Sequence, residues 1–412
     1  MITLYEHQKE GKAFLLSKKK AALFFEVGTG KTFTALSAVS ELPPGRLLIV
    51  APKKVLEKVW KKDTNYDLSM HEVTYLNYEK IARDKNFTKN TWDYVILDEV
   101  HKLKGRTTKT SRKFRTINQK AKYVFGLTGT PVANSYLDVY NIYKNMGIYE
   151  FADLSYDDFM RRYYWTKDMT NQFGFHFEIP LSVKQTMIDE LMCRIGNYAI
   201  VKRAKDCIDL PEQRTEILYV DGMKTEKYNR ILNGIFETEE HQKTLIKLEA
   251  YNKAHQAANG FYYDFDKKAV RFTPNKKLEE LKDYLDDLLE ETERVIIVYF
   301  YQNDLEELQS LEYDWTLDVD EFPNKQILFL QFGQCEGLNL QYCNRMIFYT
   351  YDYSFLKYEQ MCGRIYRNGQ KHMVTFVIMI NKNTIEEKIW WSIKNKKSRD
   401  EFLKEILSDD GC

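Results

Sequence analysis

The chain has 412 residues and carries 61 lysines and arginines against 60 aspartates and glutamates, a formal net charge of +1. That length exceeds one compact core and predicts two domains of ordinary size. The balanced charge excludes a uniformly basic nucleic-acid binder, so a nucleic-acid partner would have to be held by local patches. No stretch reaches the apolar length of a membrane span, and the first residues, MITLYEHQKEGK, lack the apolar core of a signal peptide. Six cysteines, at 193, 207, 335, 343, 362 and 412, form no C-x-x-C pair, which excludes a zinc site of ordinary spacing and fits a reducing compartment. We therefore expect a cytoplasmic protein with no membrane partner.

The apolar run AALFF at 21–25 predicts a buried parallel strand, and KTFTALSAVSEL at 31–42 places Phe33, Leu36 and Val39 at helical intervals. Between them lies EVGTGKT. The full phosphate-loop pattern G-x-x-x-x-G-K-[ST] needs glycine at 25, where this chain has Phe25. Two readings follow: a nucleotide site with an altered front end, or an ordinary strand-to-helix turn. Gly28, Thr29, Gly30, Lys31 and Thr32 retain the chemical parts of the first. Backbone N–H groups and a positive helix end would converge on a polyphosphate, Lys31 would meet the β and γ phosphates, and the Thr32 hydroxyl would hold Mg²⁺.

Beyond the loop, RLLIVAP (46–52), YVILDE (94–99) and YVFGLTGTP (123–131) predict strands covered on both faces, with KKVLEKVWKK and SRKFRTINQK as helices. This alternation predicts an α/β domain with a parallel sheet, whose ligands gather at the carboxyl ends of the strands. Asp98 and Glu99 of DEVH fall at such an end. One carboxylate can hold Mg²⁺ while its neighbour polarises the attacking water; the alternative is a pair of solvated charges.

A second α/β pattern starts near 276. NKKLEELKDYLDDLLEETER predicts an amphipathic helix, followed by strands at VIIVYF (295–300), QILFLQF (326–332), RMIFYT (345–350) and VTFVIMI (374–380). In EQMCGRIYRNGQ (359–370), Gln360, Arg364 and Arg367 sit at i, i+4 and i+7, which predicts one helix face with two converging guanidinium groups; a solvated basic face is the alternative. An arginine delivered to a γ phosphate stabilises the charge of phosphoryl transfer.

The ordered set YEHQ, EVGTGKT, LLIVAPKKVLEKVW, VTYLNYE, LDEVHKLK, GLTGTPVANS, GLNL and QMCGRIYRNGQ resembles the motor of superfamily 2 helicases, and DEVHKLK, LTGTPVANS, IVKRAKDCIDLPEQ and GRIYRNGQ narrow the resemblance to the Swi/Snf type. It covers Tyr5 to about Ile389. The resemblance implies two RecA-like parallel-sheet lobes in tandem, with small helical insertions and an ATP cleft between the lobes. Residues 1–150 would be the ATP-binding first lobe, 151–213 a helical insertion and linker, 214–275 the start of the second lobe with its own insertion, and 276–412 the rest of that lobe with a carboxyl-terminal helix. By the same resemblance Gln8 would contact adenine, with Gln360 also in the nucleotide set. Lys31 and Thr32 would hold the phosphates and Mg²⁺, Asp98 the metal and Glu99 the catalytic water. Arg364 and Arg367 would be arginine fingers. Thr128, Thr130, Gly337 and Asn339 would couple nucleotide state to the DNA path. Members of the family commonly lack a glycine at the position of Phe25.

The implied activity is an ATP-dependent translocase or remodelling motor on double-stranded DNA, forked or branched DNA included, with ATP and Mg²⁺ as cofactors and a protein partner that confers targeting or processivity. An RNA- or single-strand-dependent helicase of the same superfamily is the alternative. The sequence adds a basic strip: 100–137 holds no acidic residue, and Lys102, Lys104, Arg106, Lys109, Arg112, Lys113 and Arg115 crowd into it. Lys53 lies in a weaker candidate patch. A solvated helix face would carry mixed signs. Residues 151–200 and 222–262 read as helical protrusions whose aromatics are core rather than base-stacking platforms, and Trp390 and Trp391 as docking onto the second lobe. Only 301–325 separates two second-lobe strands, with no counterpart of the family's usual glycine-serine-arginine segment, so the resemblance implies a lost or shrunken helix and strand. Such compactness suits a phage or mobile-element protein, in the cytoplasm of a prokaryotic or phage-infected cell.

Overall fold

A computed structural model of the chain describes residues 3–395 except 62–65, 130–134, 150, 152, 172, 222–225, 238–241, 245–246, 265, 273 and 292. The chain divides into two units, Met1–Asp209 and Leu210–Cys412.

In the first unit, α1 (Glu6–Lys18) leads into β1 (Lys20–Phe25) and α2 (Lys31–Val39). Then come β2 (Arg46–Val50), the short α3 (Lys53–Val55) running on as a π-helical turn over Leu56–Trp60, β3 (Glu72–Leu76), α4 (Tyr78–Arg83) and β4 (Tyr94–Asp98). The α5 helix (Lys109–Lys120), β5 (Tyr123–Thr128) and α6 (Tyr136–Met146) follow. The order β3-β2-β4-β5-β1 is parallel throughout, and both faces are covered, as the unbroken apolar runs require. Register brings the carboxyl ends together: Phe24 pairs with Thr128, Asp98 with Leu127, and Val50 with Leu97.

Residues 151–209 correct the sequence reading twice. They form α7 (Tyr156–Tyr163), an antiparallel hairpin of β6 (Tyr164–Thr170) and β7 (His176–Val183), then α8 (Ile188–Gly196), β8 (Ala199–Lys202) and α9 (Ala204–Cys207). The segment is thus neither wholly helical nor a linker, because β8 adds a sixth parallel strand beside β1. Period-2 alternation of Phe177, Ile179, Leu181 and Val183 in HFEIPLSV was the available signal. Its aromatics divide: Phe159, Tyr163 and Tyr164 are buried, whereas Trp165, Phe173 and Phe175 on the hairpin are 61%, 73% and 70% exposed.

The second unit opens with β9 (Gln213–Val220), α10 (Glu226–Leu232) and a small pair, β10 (Ile235–Glu237) with β11 (Gln242–Thr244). Next are α11 (Lys247–Ala258), a second small pair of β12 (Phe261–Tyr263) with β13 (Ala269–Arg271), α12 (Lys276–Glu291) and β14 (Val295–Tyr299). The chain continues through α13 (Gln302–Leu308), β15 (Trp315–Thr316), β16 (Ile327–Gln331), β17 (Arg345–Phe348), α14 (Phe355–Ile365), β18 (Val374–Asn381) and α15 (Ile385–Lys394). Six strands run parallel in the order β15-β16-β14-β17-β18-β9. The stretch read as a helical protrusion at 222–262 is here a mixture, and α11 is core: Ala250, Ala254, Ala257 and Ala258 are buried in the unit's main apolar cluster. In the shortened interval a seven-residue helix and a two-residue strand remain.

A buried ion pair fastens this unit. Lys277 Nζ on α12 donates to Glu386 Oε1 on α15 at 2.6 Å and to Asn259 Oδ1 at 2.8 Å, while Glu386 Oε2 accepts from the Asn381 backbone at 2.8 Å. Removing one partner of so buried a pair costs about 3–5 kcal/mol, since the other charge is left in a dry interior. Of the two tryptophans on α15, Trp390 docks edge-on against Tyr351 and Tyr358, but Trp391 is half exposed, against expectation.

Candidate active site

The loop after β1 turns on two glycines with positive φ, Gly28 at 88° and Gly30 at 85°, a backbone that L side chains avoid. Gly30 is further constrained from outside, because a Cβ there would lie 2.1 Å from Gln8 Nε2. Gln8 and His7 on α1 both reach the Thr29 carbonyl, at 3.1 and 2.8 Å, so the first helix clamps the loop. Lys31 opens α2 and bridges the turn, donating to the carbonyls of Phe25 at 2.7 Å and Glu26 at 3.2 Å. The Glu26 carboxylate accepts the Ala204 backbone N–H at 2.7 Å, which ties the loop to the chain beyond β8.

Phe25, the residue that breaks the general pattern, is fully buried. Its ring packs where a Cβ on Gly11 would come within 2.8 Å, and the His7 ring lies 5.8 Å away. The strand therefore ends on a core side chain that locks α1 down, and the two later glycines alone supply the turn.

Asp98 closes β4, with its carboxylate buried. Burial first, and then the neighbouring Glu99 carboxylate, push its pKa up to about 6; the Trp60 indole N–H, donating to Oδ2 at 2.9 Å, and Lys31 act the other way. Lys31 is thus near enough to Asp98 for its charge to be felt, which joins the loop and the acidic strand end in one site. Glu99 takes the left-handed conformation, φ 51° and ψ 50°. That costs a non-glycine residue on the order of 1 kcal/mol, a strain that clusters at functional positions. Its Oε2 lies 3.2 Å from His101 Nδ1, and the same nitrogen is 3.0 Å from the Thr128 hydroxyl. Asp98, Glu99, His101 and Thr128 form one chain across the ends of β4 and β5. The sequence pointed to the first two and to Thr128 but missed Trp60, Tyr78, which donates to the Asp98 carbonyl at 2.7 Å, and the bridging role of His101. Thr130 lies outside the described residues.

In the second unit, Arg364 is on α14, but the helix ends at Ile365 and Arg367 lies beyond it, so the expected common helix face is not formed. The two converge by another route. Both guanidinium groups reach the Leu338 carbonyl, at 3.5 and 3.2 Å, and Arg367 also donates to Asn339 Oδ1. Burial, and after it the neighbouring Arg364 charge, pull the Arg367 pKa down to about 10. Gly337, with φ 74°, makes the turn that presents Leu338 and Asn339. Gln360 is on α14, half-buried.

The basic strip divides into side chains held by the protein and side chains exposed to solvent. Lys113 donates to the carbonyls of Ile81, Ala82 and Asp84, ending α4, and so leaves the proposed DNA-contact set. Lys104 lies 3.8 Å from Asp138, and Arg106 lies 3.4 Å from Asp157 and 4.0 Å from the Tyr156 ring. Lys53, Lys102, Lys109 and Arg112 are exposed.

A phosphate-type loop beside an acidic strand end in one parallel-sheet unit, followed along the chain by a second such unit carrying a paired-arginine turn, fits a helicase-like ATP hydrolase. Residues 67–270, just under half of the chain, match the SNF2-related domain family. An "Uncharacterized ATP-dependent helicase YqhH" of Bacillus subtilis is 24% identical over 90% of this chain and 73% of its own length. The "ISWI chromatin-remodeling complex ATPase ISW1" of Saccharomyces cerevisiae is 23% identical over 97% of this chain and 40% of its own, so the chain spans well under half of that relative. Among solved structures, the Hef helicase domain of Pyrococcus furiosus aligns with 94% of this chain and 98% of its own at a TM-score of 0.51 and 14% identity, a likeness of fold. No helix among the described residues is long and apolar enough to cross a membrane.

Proposed function

We propose that the protein is an ATP-driven motor that moves along or remodels double-stranded DNA. The observation that carries the reading is the connected chain from Lys31 through Asp98 and Glu99 to His101 and Thr128, which joins a phosphate site to the strand end from which the exposed basic strip departs. The relatives named for ATP-dependent helicase and chromatin-remodelling ATPase activity support the same assignment.

In this reading Gln8 meets the adenine, the 28–32 loop cradles the polyphosphate, and Lys31 exchanges its carbonyl partners for phosphate oxygens. The Thr32 hydroxyl and Asp98 carboxylate are hard oxygen donors of the kind Mg²⁺ takes, and they would hold it; the metal would neutralise charge on the phosphates. Glu99 orients and polarises the attacking water. Arg364 and Arg367 reach the γ phosphate when the two lobes close, and Asn339 and Gly337 carry that movement toward the DNA path. Lys53, Lys102, Lys109 and Arg112 hold backbone phosphates without reading sequence. Forked or branched DNA as the track, a protein that holds the motor on it, and a prokaryotic cytoplasm complete the proposal.

The test is ATP hydrolysis by the purified chain with Mg²⁺, measured with duplex DNA, single-stranded DNA and RNA in turn. The proposal expects duplex DNA to give the largest stimulation. Stimulation by RNA or single strands alone would replace it with the single-strand helicase reading.

A further inference from the structure

A recess of about 310 Å³ opens on the first unit, away from the 28–32 loop, where the turn before α5 meets α6 and the start of α7. Arg106, Arg112, Arg115 and Lys144 line it, against a single carboxylate, Asp157. Four cations within one small recess repel each other unless an anion joins them. Their mutual field is visible: burial, then Arg115 and Arg106, lower the pKa of Lys144, and the same two arginines oppose the rise that burial gives the Tyr140 phenol.

The cations are held in place by the fold. Arg115 donates through Nε and Nη2 to Asn145 Oδ1, at 3.3 and 3.0 Å; Lys144 donates to the Tyr140 hydroxyl at 3.1 Å; and Arg106 lies over the Tyr156 ring while pairing with Asp157. Arg112, one turn into α5, is exposed and makes no ion pair among the described residues. The aromatic walls leave no platform for a base: Tyr156 carries Arg106, and Tyr140 is flanked by Tyr156, Phe159 and Lys144. Recognition therefore falls to charge and to guanidinium forks, whose geometry matches two oxygens of a phosphate.

We propose that this recess is a second phosphate site, distinct from the ATP loop, which takes a phosphate group from the DNA backbone or from a free polyphosphate, with Arg112 meeting it from solvent. The DNA source rests on the motor reading; the free-polyphosphate source does not. The volume is several times that of one phosphate and lies at the low end of small-ligand cavities, so a phosphodiester with its waters or a short polyphosphate chain fits.

Two probes on the full-length chain decide it: a short duplex titrated at several salt concentrations, and inorganic tripolyphosphate titrated by calorimetry in the Lys31→Ala background, which cripples the ATP loop. Arg112→Ala is exposed enough to fold, and Lys144→Gln serves as the second variant. If the source is DNA, both variants weaken duplex binding about five- to tenfold and lower the salt slope by about one unit each, as loss of one phosphate contact requires. If it is a free polyphosphate, the calorimetric signal in the Lys31→Ala protein disappears on adding either change, while the duplex slope holds. Unchanged behaviour of both variants with both probes overturns the site. Were duplex DNA to leave wild-type hydrolysis unstimulated, the motor reading would fall, and the tripolyphosphate arm would still decide the recess.

Discussion

His101 Nδ1 lies 3.0 Å from the Thr128 hydroxyl and 3.2 Å from Glu99 Oε2, so one imidazole spans the ends of two adjacent strands and touches both Glu99 and the first threonine of TGTP. A change in what Glu99 holds can thereby be felt at the following loop. We expect His101→Ala to keep the KM for ATP within about twofold while cutting DNA-stimulated turnover roughly tenfold, the worth of one buried hydrogen bond. Equal losses with and without DNA would assign His101 to positioning Glu99 alone.

The two ends of the ATP site separate by kinetics. Lys31→Ala should weaken nucleotide binding, whereas Glu99→Gln should bind ATP normally and lose turnover, because only Glu99 acts on the water. Equilibrium binding of a fluorescent ATP analogue beside a steady-state rate checks both. A Glu99→Gln protein that hydrolyses ATP at the wild-type rate would remove DEVH from the chemistry.

How much of this was legible in advance follows from where the physics is local. The strand runs around Phe25, Val50, Asp98 and Thr128 are apolar on both faces, so their sequences carry the parallel sheet and their ends carry the site. Phe25 itself was readable as a departure, but its reason, the close approach of Gly11, is a contact made by the fold. Trp60 and Tyr78 gave no signal because their hydrogen bonds to Asp98 join segments far apart in the chain. Lys113 looked like its basic neighbours, and only three carbonyl partners mark it as a helix stop. Gln360, Arg364 and Arg367 kept helical spacing past the point where α14 ends, so the convergence was legible and its geometry was not.

Arg367 tests the finger. Arg367→Ala should reduce DNA-stimulated hydrolysis by on the order of 10³ while leaving ATP affinity of the intact protein close to wild type, since a finger acts on the transition state. The substitution also removes the donor to Asn339 Oδ1, so Arg367→Lys, which keeps a charge but loses the fork, should recover only a small part of the rate. Full recovery by lysine would show that a point charge is enough.

The second unit contains two buried groups whose titrations oppose one another. Burial pulls His255 down to about 3, with its Nδ1 2.8 Å from the Tyr301 hydroxyl, and burial pushes Asp304 up to about 7 while Thr350 and the Tyr301 and Phe300 amides donate to it. Between pH 3 and 6.5 the unfolded chain protonates His255 and the folded one does not, so that group lowers stability as pH falls. Between 3.8 and 7 the folded chain keeps the Asp304 proton and the unfolded one loses it, so that group lowers stability as pH rises. Each slope is about 1.4 kcal/mol per pH unit, and across the shared window they cancel. Protection factors of the β14 amides in the intact protein should therefore change little from pH 4.5 to 6.5. Asp304→Asn should lose about 2.7 kcal/mol of protection on acidification over that window, and His255→Gln should gain a similar amount. Slopes of the same sign in the two variants would contradict this pairing.

The central claim, that hydrolysis drives movement along duplex DNA, is met most directly by displacement of a third strand from a triplex placed at increasing distance along a duplex. The account predicts displacement that requires ATP and Mg²⁺, lags in proportion to distance, and vanishes in Glu99→Gln while DNA binding persists. Duplex-stimulated hydrolysis with no displacement at any distance would contradict translocation and leave an ATP-gated DNA clamp in its place.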